Sequence, residues 1–493
     1  MTGPPSVAIV GAGFGGVGTA VSLRQAGIED VTVLERGERV GGVWNQNTYP
    51  GAACDVPSHL YSYSFARNPR WGRRFAAQPE IQRYVEDVAR QHGVLDRVRL
   101  GTDVRSATWD AGSAGWRLET ADGPVEADML VCACGQLTRP SIPTVEGLDR
   151  FAGPVFHSSQ WRHDVDLRGL RVGVLGSGAS AIQFVPAILP LVRSMTVVQR
   201  SAPWILPKPD RAYRAFDTSM FERLPVAQAA GRFGWWAFLE AGIAGFIGHD
   251  AAMRPLAAIS RAHLWRQVRD PELRRRLTPT YKMGCKRVLI SNDWYPALTA
   301  PNVDVVTDGI DHATETGLVL RGGRTVELDV LIFGTGFRTR EFVAPMGIAG
   351  RDGRTLDEAW AGVPNAWHGL SVPGFPNMFL IYGPNTFGGS GSGVYMIESQ
   401  IRHVVAAAAE LRRSGARAIE VRAEAHERFM TFLRERQRRT VWATGGCTSW
   451  YVDEQGRDPT NWPGYTLDYR QRTARITPDV YALEHAPRVA AVT

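Results

Sequence analysis

The chain contains 493 residues, of which 44% are hydrophobic and 21% charged, and this balance is typical of a folded protein with two or three domains. It excludes intrinsic disorder and fibrous architectures. The net charge of +7 comes from scattered arginines, because only Lys208, Lys282 and Lys286 are lysines. We therefore expect no nucleic-acid partner.

The chain carries five cysteines that fit no zinc spacing, form no CxxxxC redox pair and are too few for a disulfide scaffold. Cys132 and Cys134 alternate with apolar residues, as inert thiols in a buried strand do. We therefore expect no metal site. We expect a cytoplasmic location, because no basic leader precedes the first apolar run. Residues 226–248 are the most membrane-like stretch, but their charges and five glycines favour a buried helix or cavity wall over a membrane span.

The N-terminal segment predicts a strand, a glycine turn and a helix in immediate succession. Residues 6–10 are apolar and β-rich, the turn reads Gly11-Ala-Gly13-Phe-Gly-Gly16, and residues 17–25 suit a helix. A second strand, residues 31–34, ends in Glu35, about 20 residues after the last glycine. The turn brings backbone N–H groups to a pyrophosphate, and Glu35 suits ribose hydroxyls without a 2′-phosphate. The pattern indicates FAD or NAD, the alternative being a tight strand–helix connection.

The same pattern returns in the middle of the chain. Residues 170–175 predict a strand that runs into Gly176-Ser-Gly178-Ala-Ser-Ala181 and a helix. The next strand, residues 195–199, ends in Arg200 instead of an acid. Because a guanidinium attracts a 2′-phosphate, this second site indicates NADP(H), again with a plain tight turn as the alternative.

The rest of the chain predicts how two such units connect. Residues 128–135 and 329–336 are twin buried strands ending in glycine, residues 136–143 form a proline-rich linker, and Pro373-Gly-Phe-Pro-Asn377 marks a return crossing. Further expected elements are a helical insertion at 205–280, helices near 394–414 and 423–441, and an irregular tail at 445–463.

The predicted fold class is α/β, with two Rossmann-like dinucleotide-binding domains, one for FAD and one for NADP, and a helical insertion. We expect the FAD domain in two parts, 1–140 and 375–493, the second containing a mobile loop at about 445–463. The NADP domain, 141–374, contains the insertion. Such a pair of sites implies hydride transfer from NADPH to FAD, and without a redox disulfide O2 becomes the expected next acceptor.

Two further motifs carry a family resemblance. Phe151-Ala-Gly153-Pro-Val-Phe-His157-Ser-Ser-Gln-Trp161 resembles the FxGxxxHxxxW fingerprint of type I (class B) Baeyer–Villiger monooxygenases, and Gly41-Gly42-Val-Trp44-Asn-Gln-Asn-Thr-Tyr49-Pro50-Gly51-Ala-Ala-Cys-Asp55 resembles that family's GGxWxxxxYPGxxxD segment. Related flavin monooxygenases that oxygenate amines or sulfides usually carry Tyr or Phe at the position of Trp161. One residue departs from the family pattern: Arg162 stands where a proline commonly follows the tryptophan.

The resemblance implies roles for individual residues. Arg287 corresponds to the catalytic cation and Asp55 to the aspartate that orients it, in a contact expected to vary with the nicotinamide position. Lys286 is a second 2′-phosphate contact beside Arg200, and Trp450 belongs to a loop that closes over NADP. His157 and Trp161 are expected to act structurally. The cofactor-binding residues implied are Gly11, Gly13, Gly16, Glu35, Val43, Trp44, Asp55, Tyr61, Val104, Gly176, Ser177, Gly178, Ala179, Ser180, Gln183, Arg200, Ser201, Lys286 and Trp450.

The expected activity is an NADPH- and O2-dependent conversion of a ketone to an ester or lactone, through a C4a-peroxyflavin and a tetrahedral adduct stabilised by Arg287. One alternative is a flavin monooxygenase acting on amine or sulfide heteroatoms, and another is a non-oxygenating nucleotide-binding redox sensor. Trp235, Trp236, Phe238 and Phe246 suggest either a lipophilic pocket or core packing. The sequence leaves the ketone and the choice between monomer and homo-oligomer undecided.

Overall fold

A computed structural model describes residues 3–485. Its first sheet is parallel and has five strands, of which four are apolar and almost entirely buried, while the edge strand Val98–Arg99 is partly exposed. In spatial order they are Met378–Leu380, Met129–Cys132, Val7–Val10, Val31–Leu34 and Val98–Arg99. From Val7–Val10 the chain adds strands first on one side and later on the other, so the first glycine turn lies at the topological switch point of the sheet.

A second parallel sheet repeats this arrangement. Its order is Val303–Val306, Ser194–Val198, Arg171–Leu175, Val330–Phe333 and Val155–His157. Here the order reverses at Arg171–Leu175, and the second glycine turn follows that strand. The α/β class with two Rossmann-like units is therefore confirmed.

Smaller sheets decorate the two units. They are Gly347–Ala349 with Val104–Asp110, Gly115–Thr120 and Gly123–Ala127; Ile310–Thr314 with Gly317–Leu320 and Thr325–Glu327; Ile205–Leu206 with Leu289–Ile290; and Ala418–Val421 with Tyr481–Glu484. The pairing of Gly347–Ala349 with Val104–Asp110 already returns the chain to the first unit before residue 374. The limits of the three predicted domain segments stay predictions.

The helices cover the sheets and fill the predicted insertion. Those outside the insertion are Phe14–Gln25, Val43–Gln46, Gln78–Gln91, Ala181–Ile188, Trp294–Leu298, Leu356–Trp360, Gly393–Ser414, Ala423–Gln437, Val441–Thr444 and Thr466–Arg472, and Val441–Thr444 packs against Phe246 of the insertion. The insertion contains Ala215–Arg223, Pro225–Gly242, Arg254–Gln267 and Pro271–Arg276. Among residues 3–485, no helix combines the length and the apolar character that crossing a membrane requires.

The core explains two of the fingerprint residues. His157 is buried, and its Nδ1 accepts the backbone N–H of Ser159 at 3.1 Å, which caps a short turn. The Trp161 ring packs 5.3 Å from Phe156 and 5.4 Å from Phe184, centroid to centroid. Arg162, the departure from the family pattern, pairs with exposed Asp164 at the surface. These contacts are structural, and the loop accommodates an arginine because the side chain points into solvent.

Candidate active site

The first glycine turn needs glycine for steric reasons. Gly11 has φ +101°, and a Cβ there would lie 2.6 Å from the carbonyl oxygen of Ala133. A Cβ on Gly16 would collide with the carbonyl oxygen of Gly11, so Gly16 lets the helix pack against the strand. Helix Phe14–Gln25 begins after Gly13 without a side-chain cap. Its first N–H groups are therefore available to an anionic ligand in the adjoining cavity.

Glu35 is held at the end of its strand with its carboxylate facing the same cavity. Its two oxygens accept the backbone N–H groups of Ala12 and Gly37, each at 2.7 Å. These bonds use part of the acceptor capacity of a carboxylate and leave the rest for a ligand's hydroxyl groups. The turn and Glu35 together fit the pyrophosphate and ribose of a dinucleotide without a 2′-phosphate.

The second turn has the same construction. Gly176 has φ +108°, and a Cβ there would collide with the carbonyl oxygen of Gly334. Helix Ala181–Ile188 also begins without a side-chain cap. From this helix Gln183 reaches the loop that carries Asp55, because its amide donates to the carbonyl of Ala53 at 2.9 Å and its oxygen accepts from Tyr49 at 2.9 Å. The two nucleotide sites are thereby joined through one side chain.

Cationic side chains stand beside the second turn. Arg200 is exposed, and the Lys286 ammonium donates to the Ser201 hydroxyl at 2.6 Å. Burial lowers the pKa of Lys286, and the positive charge of Arg200 lowers it further. A doubly charged phosphate placed between the two side chains would relieve this repulsion and favour the charged form of Lys286. The residues present fit a 2′-phosphate.

Arg287 and Asp55 form an ion pair inside the cavity. The Nε and Nη2 atoms of Arg287 donate to one Asp55 oxygen at 3.0 and 2.6 Å. Burial is the largest single influence on Arg287 and lowers its pKa, but the charge and hydrogen bonds of Asp55 together with the nearby Tyr451 and Tyr382 raise it by more, so the net pKa of Arg287 is raised. The guanidinium also lies 5.4 Å from the centre of the Phe387 ring. Arg287 is thus a fixed, permanently charged donor.

The irregular segment 445–463 reaches this pair. The Trp450 ring, about one-third exposed, lies 5.4 Å from Phe387 and 4.2 Å from Tyr451. Thr339 donates its hydroxyl to the Trp450 carbonyl at 3.2 Å. Residues 445–463 contain no helix and no extended strand, as the sequence predicts.

One cavity of about 1190 Å³ brings these groups together. Its wall includes every residue of the predicted site except Gly16: Gly11, Gly13, Glu35, Val43, Trp44, Asp55, Tyr61, Val104, Gly176, Ser177, Gly178, Ala179, Ser180, Gln183, Arg200, Ser201, Lys286, Arg287 and Trp450. The roles assigned to them individually stay predictions.

Sequence reasoning missed part of the cavity wall. Tyr382 and Phe387 line it next to Arg287, and no motif had marked them. Conversely, Trp235, Trp236, Phe238 and Phe246 are absent from the wall. Trp235 and Trp236 pack against the core of the first unit, Phe246 is buried in a separate cluster, and Phe238 is exposed to solvent. The packing of Trp235, Trp236 and Phe246 supports the core-packing interpretation of these residues.

Two of the five cysteines form a bond that was not predicted from the sequence. Cys285 and Cys447 are joined by a disulfide, although 162 residues separate them. Cys54, Cys132 and Cys134 remain free. The sequence spacing of the pair contains no signal, because the bond depends on how the tail folds back onto the segment that precedes Arg287.

The fold and the cavity define a protein class with two dinucleotide sites that face a shared reaction chamber containing a fixed arginine. Residues 8–224 match the family described as pyridine nucleotide-disulphide oxidoreductase. A Baeyer–Villiger monooxygenase of Pseudomonas aeruginosa is 44% identical over 486 residues, covering 98% of this chain and 92% of that protein.

Solved structures agree. An oxidised steroid monooxygenase bound to NADP superposes with a TM-score of 0.87 and 30% identity, covering 98% of this chain and 100% of that one. The protein named OTEMO, in complex with FAD and NADP, superposes with a TM-score of 0.87 and 26% identity, covering 98% of this chain and 100% of that one. The chain belongs to the Baeyer–Villiger monooxygenase family. It is therefore an enzyme, and the alternative of a non-oxygenating redox sensor is wrong.

Proposed function

We propose that this monooxygenase uses NADPH and O2 to insert one oxygen atom next to a ketone carbonyl, which yields an ester or a lactone. The observation that carries the proposal is Arg287, held by Asp55 in the cavity between the two glycine turns. The names of the relative and of the two solved structures support the reaction class and the two cofactors.

The first glycine turn and Glu35 would hold FAD, and the second turn with Arg200 and Lys286 would hold NADPH. When bound, the reduced flavin supplies the two-electron activation of O2. The carboxylate of Glu35 would repel the 2′-phosphate of NADPH at the first site, whereas the two cations attract it at the second. Because of this difference in charge, FAD would bind at the first glycine turn and NADPH at the second.

Arg287 would stabilise negative charge at two stages of the reaction. A guanidinium keeps its proton at any working pH, so it favours an anionic oxygen beside the flavin and then the charge that develops on the former carbonyl oxygen. The bond to Asp55 orients the group in advance. Because that carboxylate offsets part of the positive charge, we expect the contact to loosen when the nicotinamide moves.

Trp450 and the segment around it would exclude water from the chamber. Water in the chamber favours loss of hydrogen peroxide over transfer of oxygen to the substrate. The partial exposure of Trp450 and the irregular backbone of residues 445–463 are suited to a loop that opens for NADPH and closes afterwards.

Replacing Arg287 tests the proposal. In Arg287→Ala we expect ketone oxygenation to fall by about 10²–10³-fold, the scale found for the loss of one oxyanion donor, while NADPH still reduces the flavin. Arg287→Lys should recover part of the rate. The matched control is Arg171→Ala, which removes a partly buried arginine paired with Asp329 outside the cavity.

A sulfide substrate separates this proposal from heteroatom oxygenation. Oxygen transfer to sulfur places no negative charge on a carbonyl oxygen, so sulfide oxidation should lose less activity than ketone oxygenation in Arg287→Ala. Equal losses for both substrates, or unchanged ester formation in Arg287→Ala, would contradict the role given to Arg287. Product mass spectrometry over a panel of linear, cyclic and aromatic ketones would identify the substrate class.

A further inference from the structure

A covalent bond connects the two chain segments that carry the key groups of the site. Cys285 lies two residues before Arg287, and Cys447 lies three residues before Trp450. The disulfide between them joins the arginine segment to the tail segment. The catalytic mechanism proposed above uses neither sulfur.

The surroundings of the two sulfurs differ. Cys285 is completely buried, and Gly445 packs so closely against it that a Cβ there would lie 2.6 Å from the sulfur. Cys447 is partly exposed and stands between exposed Gly446 and Thr448. One end of the bond is therefore fixed in the core, while the other is on the irregular segment and within reach of a small thiol or oxidant.

Packed side chains connect the segment that carries the disulfide with Arg287. The Trp450 ring contacts Phe387, and the Phe387 ring lies under the Arg287 guanidinium. Neutral hydrogen bonds also hold the segment, from the Lys282 backbone N–H to the Gly445 carbonyl at 3.2 Å and from Thr339 to the Trp450 carbonyl at 3.2 Å. Such bonds are individually weak. The buried Tyr451 ring, packed against Trp442 and Phe387, holds the segment just after Trp450, and the disulfide is its covalent attachment just before Trp450.

We propose that Cys285 and Cys447 are positioning residues whose disulfide holds Trp450 over the reaction chamber. The inference rests on the proposed function. In the reduced form the segment opens more often, water enters, and NADPH oxidation yields hydrogen peroxide in place of oxygenated product. The dithiol and disulfide states thus set the coupling between NADPH consumption and oxygen transfer.

The disulfide between Cys285 and Cys447 can be reduced and formed again. An external dithiol breaks the bond by exchange, donating two electrons and two protons to give two protein thiols, and leaves as its own disulfide. Hydrogen peroxide forms the bond again: it oxidises one thiol to a sulfenic acid with release of one water, and the second thiol then displaces a second water to give the disulfide. Uncoupled turnover itself supplies hydrogen peroxide, so an opened segment produces the oxidant that fastens it again.

Peptide mapping under non-reducing conditions provides the first measurement, on the FAD-loaded enzyme as purified. A linked pair of peptides containing Cys285 and Cys447 is expected, and two free thiols after exposure to hydrogen peroxide would overturn the proposal. The second measurement is hydrogen peroxide released per NADPH consumed, for untreated enzyme and for enzyme reduced with a phosphine that is removed before the assay. We expect reduction to raise this ratio on the order of tenfold, because an intramolecular tether is lost.

Variants make the effect specific. Cys447→Ser should show the high peroxide ratio from the start, without any response to the reductant and without recovery after reoxidation. Cys132→Ala, which removes a free buried thiol in the first sheet, should keep the full response of the parent enzyme. A reductant effect that persists in Cys447→Ser would overturn the proposal. If that variant fails to fold, reduction and reoxidation of the parent enzyme provide the same comparison.

Deuterium exchange of residues 443–453 gives a readout independent of activity. Reduction should accelerate exchange in this segment and leave the strand Val7–Val10 unchanged. Equal exchange and equal peroxide ratios in both redox states would overturn the inference, even if ketones are oxygenated. An enzyme that oxygenates no ketone but shows faster exchange on reduction would refute the proposed function and leave the disulfide's hold on the segment standing.

Discussion

Removing Asp55 tests how far the activity depends on holding Arg287 in place. The two donated hydrogen bonds, at 3.0 and 2.6 Å, end on one Asp55 oxygen, and the Arg287 and Asp55 side chains are 32% and 28% exposed. Exposed ion pairs contribute about 0–1 kcal/mol, whereas breaking a fully buried pair costs about 3–5 kcal/mol. This partly buried pair lies between, at about 1–3 kcal/mol of stability. Taking the same free energy as lost from transition-state stabilisation gives a rate decrease of roughly 5- to 150-fold.

We therefore expect Asp55→Ala to slow ketone oxygenation by roughly 5- to 150-fold and to raise hydrogen peroxide release. The rate decrease in Asp55→Asn should lie at the low end of this range, because the amide oxygen still accepts a hydrogen bond from Arg287. Anaerobic stopped-flow reduction of the flavin by NADPH should change much less. The assay is product formation by gas chromatography alongside peroxide and NADPH measurements.

The matched control is Asp329→Ala. Its partner Arg171 forms an ion pair of similar exposure, 35% and 33%, and both residues lie outside the cavity wall. We expect this control to lower thermal stability without altering the ratio of peroxide to product. Unchanged oxygenation in Asp55→Ala, or an equal loss in the control, would refute the reasoning.

Other predictions concern the nucleotide sites. Gly16→Ala should prevent FAD retention, seen as loss of flavin absorbance after purification, because the new Cβ collides with the Gly11 carbonyl oxygen. Arg200→Ala should raise KM for NADPH by about tenfold or more and leave KM for NADH unchanged, as expected for loss of a phosphate contact. Burial lowers the pKa of Lys286, so its charge is lost as pH rises at values below those of an ordinary lysine. KM for NADPH should therefore rise in alkaline buffer, whereas Lys286→Arg should show a flat profile; a parallel rise with NADH would contradict this assignment.

The glycine turns could be predicted because their signals are local. The strand, turn, helix and acid of the first unit occupy one short stretch, and each residue type there has a steric or electrostatic reason that is visible in the sequence. The pairing of Gly347–Ala349 with Val104–Asp110 had no such signal. A three-residue strand is too short to show periodicity, and its partner lies far away along the chain.

The site shows the same division. Asp55 and Arg287 were paired through motif resemblance, and the structure places them in contact. The disulfide between Cys285 and Cys447 forms only when the tail folds back, and Phe387 reaches Arg287 only when the loop after Met378–Leu380 packs against its segment. The aromatic residues of helix Pro225–Gly242 left two interpretations open, because apolar side chains in an insertion serve packing and exposed faces as readily as a binding pocket.

The most direct test of the central claim is turnover of a ketone under isotopically labelled oxygen. We expect one ¹⁸O atom in each ester or lactone molecule, the original carbonyl oxygen retained, and equal consumption of NADPH and O2 per product. The account would be contradicted if NADPH is consumed but the label appears only in water and hydrogen peroxide for every ketone of the panel.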